Sequence, residues 1–150
     1  LDVQAGIDAW QVRDGAGVRG IASRVQYGTA YDSFTIRLSR PSGAETEWHK
    51  RIRALEHRDE GWICPFFTCQ AYLDAPGGDL LSAGLVRTED LFAQAWIDRH
   101  DTSRVKTSPT SERFLYLDWS YLQKQGVPVQ YWSRVEEMTA GIMKGLESTL

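Results

Sequence analysis

The sequence predicts one mixed α+β domain. Three observations carry that expectation. The chain has 150 residues, an ordinary size for a single domain. Several short segments alternate apolar and polar residues, as half-buried strands require. Between them lie segments with helical spacing and recognisable start or stop residues. The predicted order is βββ-α-ββ-α-β-α-β-α, an α+β or mixed α/β arrangement. An N-terminal antiparallel meander leads into a helix, then a second hairpin and further helices.

"GIDAWQV" reads as the first strand, "RDGAG" as a turn and "VRGIASRVQY" as the second strand, so the pair forms a hairpin. "SFTIRLS" puts Phe34, Ile36 and Leu38 on one face and Thr35 and Arg37 on the other; it reads as the third strand of the meander. "RPSGA" ends it. "ETEWHKRIRALEH" reads as a helix with acids first and bases later, matching the helix dipole. Its apolar stripe is Trp48, Ile52 and Leu55. "GWICPFFTCQAYLD" is the next strand, with Pro65 pointing to an edge position or a bulge. "APGGD" turns it into "LLSAGLV", a second hairpin. Thr88 caps the helix "EDLFAQAWIDRH". The polar "DTSRVKTSPTSER" reads as a mobile loop. "FLYLDW" reads as a buried strand, "SYLQKQG" as a short helix stopped by Gly126, and "VPVQYW" as a last extended piece. "SRVEEMTAGIMKGL" closes the chain as a helix, with Ser133 and Glu136 at capping-box spacing.

Hydrophobic residues make up 42% and charged residues 25% of the chain, as in ordinary globular proteins. The net charge is −3, so bulk charge predicts no affinity for nucleic acid, and any such surface is a local patch. The two cysteines, Cys64 and Cys69, fall on opposite faces of a regular strand. They read as buried free thiols of a cytoplasmic protein, neither disulfide nor zinc site. No apolar run reaches the length of a membrane span and no signal peptide is visible, so no membrane partner is expected. The chain opens on Leu1, which leaves room for an upstream helix in a longer natural protein.

The residues that carry chemistry cluster at the first hairpin. Asp8 lies beside a turn, and Arg24 and Gln26 alternate onto one face of the second strand. A metal-dependent phosphodiesterase needs a carboxylate on one strand, a second oxygen ligand on its neighbour and a base touching the phosphate. Mg²⁺ takes oxygen ligands of these kinds. An aspartate after Gly6 equally serves as a turn residue, and Arg24 and Gln26 equally form a solvated strand face. Asp2 is a weaker candidate near the chain end. On the first helix, Lys50, Arg51 and Arg53 are candidates for nucleic-acid phosphates; with Glu45, Glu47 and Glu56 they also read as an exposed charged face. Thr68 and Gln70 share a strand face, where Gln70 orients water or phosphate or makes a structural hydrogen bond. No Ser-His-Asp pattern, nucleophile elbow or phosphate-cradling glycine loop is present. Trp10, Trp96 and Trp119 sit in apolar patterns and read as core and rim.

The segments "GID", "RVQ", "SFTIR" and "TEWHKR", followed by "CQAYLD", "GLVRTEDL" and "FLYLDW", resemble the PD-(D/E)XK nuclease-like superfamily in its phage- and plasmid-borne variants. The resemblance spans Asp2 to about Trp119 and its motifs are short. It implies a restriction-endonuclease-like core, with Asp8 as metal ligand. The family's second motif is (D/E/Q)-x-K. Here Ala22-Ser23-Arg24 or Arg24-Val25-Gln26 stands instead, and arginine does not act as a base because it keeps its proton. Gln26 as a neutral ligand, or Glu47 as a displaced carboxylate with Lys50 nearby, would repair the motif.

Two functions follow as expectations. In the first, the chain acts on DNA and hydrolyses phosphodiester bonds with Mg²⁺ or Mn²⁺. Asp8, Gln26 and Glu47 then hold the ion and Arg24 neutralises the charge that develops on phosphorus. In the second, the same fold is a non-catalytic module that binds a protein or nucleic-acid partner. The first is the leading expectation, on the strength of the resemblance; the net acidity, slightly, and the missing acid of the second motif speak for the second. A subunit role in a larger phage or plasmid assembly is a third expectation.

Overall fold

The computed structural model describes residues 7–13, 17–132, 143–144 and 146–147. Among them are eight strands: β1 (Ala9–Arg13), β2 (Gly17–Tyr27), β3 (Ser33–Ser39), β4 (Phe67–Leu73), β5 (Leu80–Arg87), β6 (Val105–Thr107), β7 (Arg113–Asp118) and β8 (Val129–Trp132). Three α-helices accompany them: α1 (Glu47–Glu56), α2 (Thr88–Asp98) and α3 (Trp119–Lys124). The class is α+β, as expected. Asp2 and nearly all of the closing helix, with its Ser133–Glu136 box, lie outside the described residues.

The strands form two sheets, ordered β1-β2-β4-β5-β8 and β3-β7-β6. The first hairpin is antiparallel, with Ala9 opposite Ile21 and Arg13 opposite Gly17. The expected meander stops there. The free edge of β2 is taken by β4, in parallel, from Ile21–Phe67 to Tyr27–Leu73. β3 leaves the sheet and pairs with β7, Phe34 opposite Leu117 and Ile36 opposite Leu115. The reason is apolar demand. β3 carries Phe34, Ile36 and Leu38 on one face, and β7 offers Leu115 and Leu117 at matching positions; all five are buried. The inner face of β2 carries Arg24 and Gln26, which give an apolar strand nothing to pack on.

The second hairpin, β4–β5, is present and antiparallel. Its β4 strand lies inside the sheet, not at an edge. Pro65 is compatible with that because the strand starts at Phe67, so the missing proline N–H breaks no ladder bond. The polar segment expected as a loop instead pairs as β6 with β7. Its entry is held by Asp101, whose carboxylate accepts the N–H (2.9 Å) and O–H (2.7 Å) of Ser103. α2 begins one residue earlier than Thr88 would as a cap. The Thr88 hydroxyl meets that of Thr68 at 2.9 Å instead.

One core joins the faces of both sheets to the helices. Phe34, Ile36, Tyr72, Val86, Phe92, Leu115, Trp119 and Leu122 are buried in it, with Trp48, Ile52 and Leu55 of α1 packed against it. Trp119 lies flat over Gly84: a Cβ at that position would stand 2.4 Å from its Cε2 and 2.6 Å from its Nε1. Gly84 is therefore required by the indole, which is fully buried and cannot retreat. Gly84→Ala is expected to cost about 1–3 kcal/mol, the usual range for overpacking a core. In urea unfolding it should lower the midpoint and leave the m-value unchanged.

Candidate functional site

Alternation along β2 sends Ala22, Arg24 and Gln26 to the inner face, beside Thr68, Gln70 and Tyr72 of β4 in the parallel register. Arg24 is therefore the point where the large sheet reaches toward β3 and the start of α1. Its Nη2 donates to Glu47 Oε2 at 2.7 Å, and its Nη1 donates to the backbone carbonyl of Thr35. The two side chains are 28% and 21% exposed. Gln26 Nε2 turns to Thr35 Oγ1 at 3.5 Å.

Asp8 is exposed and sits just before β1, with its N–H donating to Ile21 O at 2.9 Å. Its Oδ2 accepts the backbone N–H of Ser23, and the Ser23 hydroxyl at 3.2 Å. The carboxylate thus continues the β1–β2 ladder past the end of the strand, satisfying an N–H on the edge of β2. Sequence reasoning passed over Ser23 as the partner of Asp8. The signal was present: Ser23 lies two residues beyond Ile21, where a continued antiparallel register demands an acceptor.

Arg51 is the larger correction. It was read as one of three exposed phosphate contacts, and it is buried, at 5% exposure. Trp48, Ile52 and Leu55 bury a broad stripe of α1, and Arg51, one turn after Glu47, is carried in with it. Burial holds the Arg51 guanidinium below its ordinary pKa. Glu47, Cys64 and Asp8 act against that, and Arg24 adds to it. Arg51 cannot reach a phosphate outside the protein. Arg53 is exposed and paired with Glu45, and Lys50 is half-buried.

The same electrostatic neighbourhood gathers Asp8, Arg24, Glu47 and Arg51. Glu47 and Asp8 act on Arg51 from there, and Glu47 is bonded to Arg24. A Mg²⁺ or Mn²⁺ ion needs several oxygen donors carrying excess negative charge. Here Glu47 is neutralised by Arg24, Asp8 is engaged by Ser23, and Gln26 presents its amide nitrogen to Thr35. This donor set, as arranged, does not fit a divalent cation. Among the described residues no group of three or more His, Cys, Asp and Glu side chains is placed to hold one.

Two other sequence candidates resolve differently. Gln70 lies on the inner face next to Arg24 at 2% exposure, and its Nε2 has no hydrogen-bond partner among the described residues. Trp119 is in the core, but Trp10 and Trp96 are each 47% exposed. Trp96 offers no free face for a base: Trp48 stacks on one side at 5.8 Å and the Arg99 guanidinium lies 3.8 Å from its ring centre. Both cysteines are free thiols, and both are half-buried. Burial pushes the Cys69 thiol up to about 11.

Two outcomes follow. A double-mutant cycle on Arg24→Ala and Glu47→Ala should return a coupling of about 1–3 kcal/mol in chemical unfolding, as for a half-buried charge-assisted pair; additivity within ~0.3 kcal/mol would make the contact inconsequential. A thiol held near pH 11 carries little thiolate at pH 7.5. Cys69 in the folded Cys64→Ser variant should therefore react with a disulfide reagent at least ~100-fold more slowly than a free cysteine.

The sequence matches no family model, and the searches of curated proteins and of solved structures return no match.

Proposed function

We propose that this chain is a non-catalytic binding module. One observation carries the reading: the carboxylate that would complete a nuclease site, Glu47, is spent on Arg24 at 2.7 Å. Arg24 in turn is spent on Glu47 and on the Thr35 carbonyl. A group committed to tying two sheets and a helix together is not poised to neutralise a reacting phosphate. Arginine also supplies no base in the position where the nuclease motif carries lysine. What remains is a scaffold whose surfaces do the work. No helix among the described residues is long and apolar enough to cross a membrane.

The competing reading is metal-dependent hydrolysis of DNA. It is favoured by the grouping of Asp8, Arg24 and Glu47 around Arg51, the residues that the PD-(D/E)XK resemblance singles out. It requires the Arg24–Glu47 pair to open before any ion enters.

Incubation with supercoiled plasmid and Mg²⁺ or Mn²⁺ separates the two. The binding-module reading expects no nicking above that of the Asp8→Ala protein, and no saturable heat on titration with either ion. Metal-dependent nicking that disappears in both Asp8→Ala and Glu47→Gln overturns it in favour of hydrolysis.

A further inference from the structure

The outer face of the small sheet was not among the candidates read from sequence, because "FLYLDW" was taken as buried throughout. In the structure β7 is two-sided. Leu115 and Leu117 face the core at 0% exposure, while Tyr116, on the opposite face, is 38% exposed and Phe114 is half-buried. The two outward rings lie 6.5 Å apart. The register then sets cations on either side of the first ring: Phe114 is opposite Arg37 on β3 and opposite Lys106 on β6. The Arg37 guanidinium stands 5.2 Å from the Phe114 ring centre.

Charge is segregated around this face. At the Phe114 end are Arg37, Arg40 and Lys106, while Arg113, also exposed, alternates to the other side of β7. The acid facing them is Glu112, 3.4 Å from Arg37 and 3.8 Å from Arg40. At the Tyr116 end Arg104 stands against two acids, 3.5 Å from Asp101 and 3.8 Å from Asp118. A chain of net charge −3 therefore keeps its positive surface on this face at the Phe114 end.

We infer that the outer face of β3-β7-β6 binds single-stranded nucleic acid. Bases stack on Tyr116 and Phe114, and Arg37 and Lys106 take the phosphates. Two π-faces at successive outward positions of one strand suit successive unstacked bases, and a flanking cationic rim supplies the sequence-independent attraction. Duplex DNA, whose bases are stacked away, meets only the rim. The inference rests on the binding-module reading but fails independently of it, since plasmid nicking decides catalysis and oligonucleotide binding decides this surface.

Fluorescence anisotropy with a labelled oligothymidylate of about 12 nucleotides, the span of an ordinary single-strand site, tests it. The wild-type chain should bind the single strand in preference to a duplex of equal length, and more weakly as salt rises. Lys106→Glu should weaken binding about tenfold and flatten the salt dependence. Tyr116→Ala should weaken it while leaving the salt slope unchanged, with thermal unfolding confirming that both variants are folded. Arg53→Glu, on α1, should change nothing. Absence of binding, a preference for duplex, or loss of binding in Arg53→Glu but not in Lys106→Glu each overturns the inference.

Discussion

The bond that the rest of the molecule depends on runs from Arg24 to both Glu47 and Thr35. On the inner face of the large sheet β4 already carries Thr68 and Gln70 beside Tyr72, and β2 adds Arg24 and Gln26. Without Arg24, β3 and the first turn of α1 would meet that polar edge with unpaired groups. A carbonyl and a carboxylate would lose their donors in a place only about a quarter exposed. A charge-assisted hydrogen bond is worth more there than on an open surface, because less water competes for either partner. The guanidinium is suited to this by its fork, which serves two acceptors at once; a lysine ammonium would not hold both in fixed directions. The same commitment fixes what the residue is unable to do. A cation bonded in two directions contributes rigidity, and rigidity at this seam carries the small sheet in a defined place.

The elements were legible in the sequence to the extent that their signals were local. The first hairpin, the β4–β5 hairpin, α1 and α2 each follow from alternation, helical spacing or a turn of fixed composition. Pairing partners were not legible. Nothing inside "SFTIRLS" distinguishes a third meander strand from one that pairs with β7, far along the chain at Arg113–Asp118. The choice was made by Leu115 and Leu117, which supply the apolar row that β2 lacks. Burial of Arg51 was hidden for a related reason. A helical charge pattern names a polar face, but how deep α1 settles is decided by Trp48, Ile52 and Leu55 and by what they meet. Asp8, Arg24 and Glu47 were read as one candidate site across three elements; Arg24 and Glu47 are bonded to each other, and Asp8 bonds Ser23 instead. Which of them bonds which depended on side-chain reach, and that is set by packing.

The two sheets divide the work. The five-stranded sheet spends its polar inner edge on holding the parts together, through Arg24, Gln26 and the Thr68–Thr88 contact at 2.9 Å. The three-stranded sheet buries Phe34, Ile36, Leu38, Leu115 and Leu117 on one face, and its β3 strand is also covered on the other, where Ser33 and Thr35 are each 5% exposed and β3 is bonded by Tyr72, Gln26 and Arg24. Only toward β7 and β6 does that second face open to solvent. A β-strand alternates strictly, so a sheet fixed by one face can carry any residues on the other at little cost to stability.

Phe114 and Tyr116 are informative for that reason. A solvated strand face is built well enough from threonine, lysine and glutamate, and burial does not account for a tyrosine left 38% exposed. Single exposed aromatics are common and carry no message. Two on alternate positions of one strand are a different case when the register sets Arg37 and Lys106 on either side of the first, Phe114. Arg37 lies over the Phe114 ring and is also drawn to Glu112, so its charge is held against the ring rather than released to solvent. That placement leaves two rings, tilted 47° to one another, with positive charge beside the first, an arrangement that burial alone does not require.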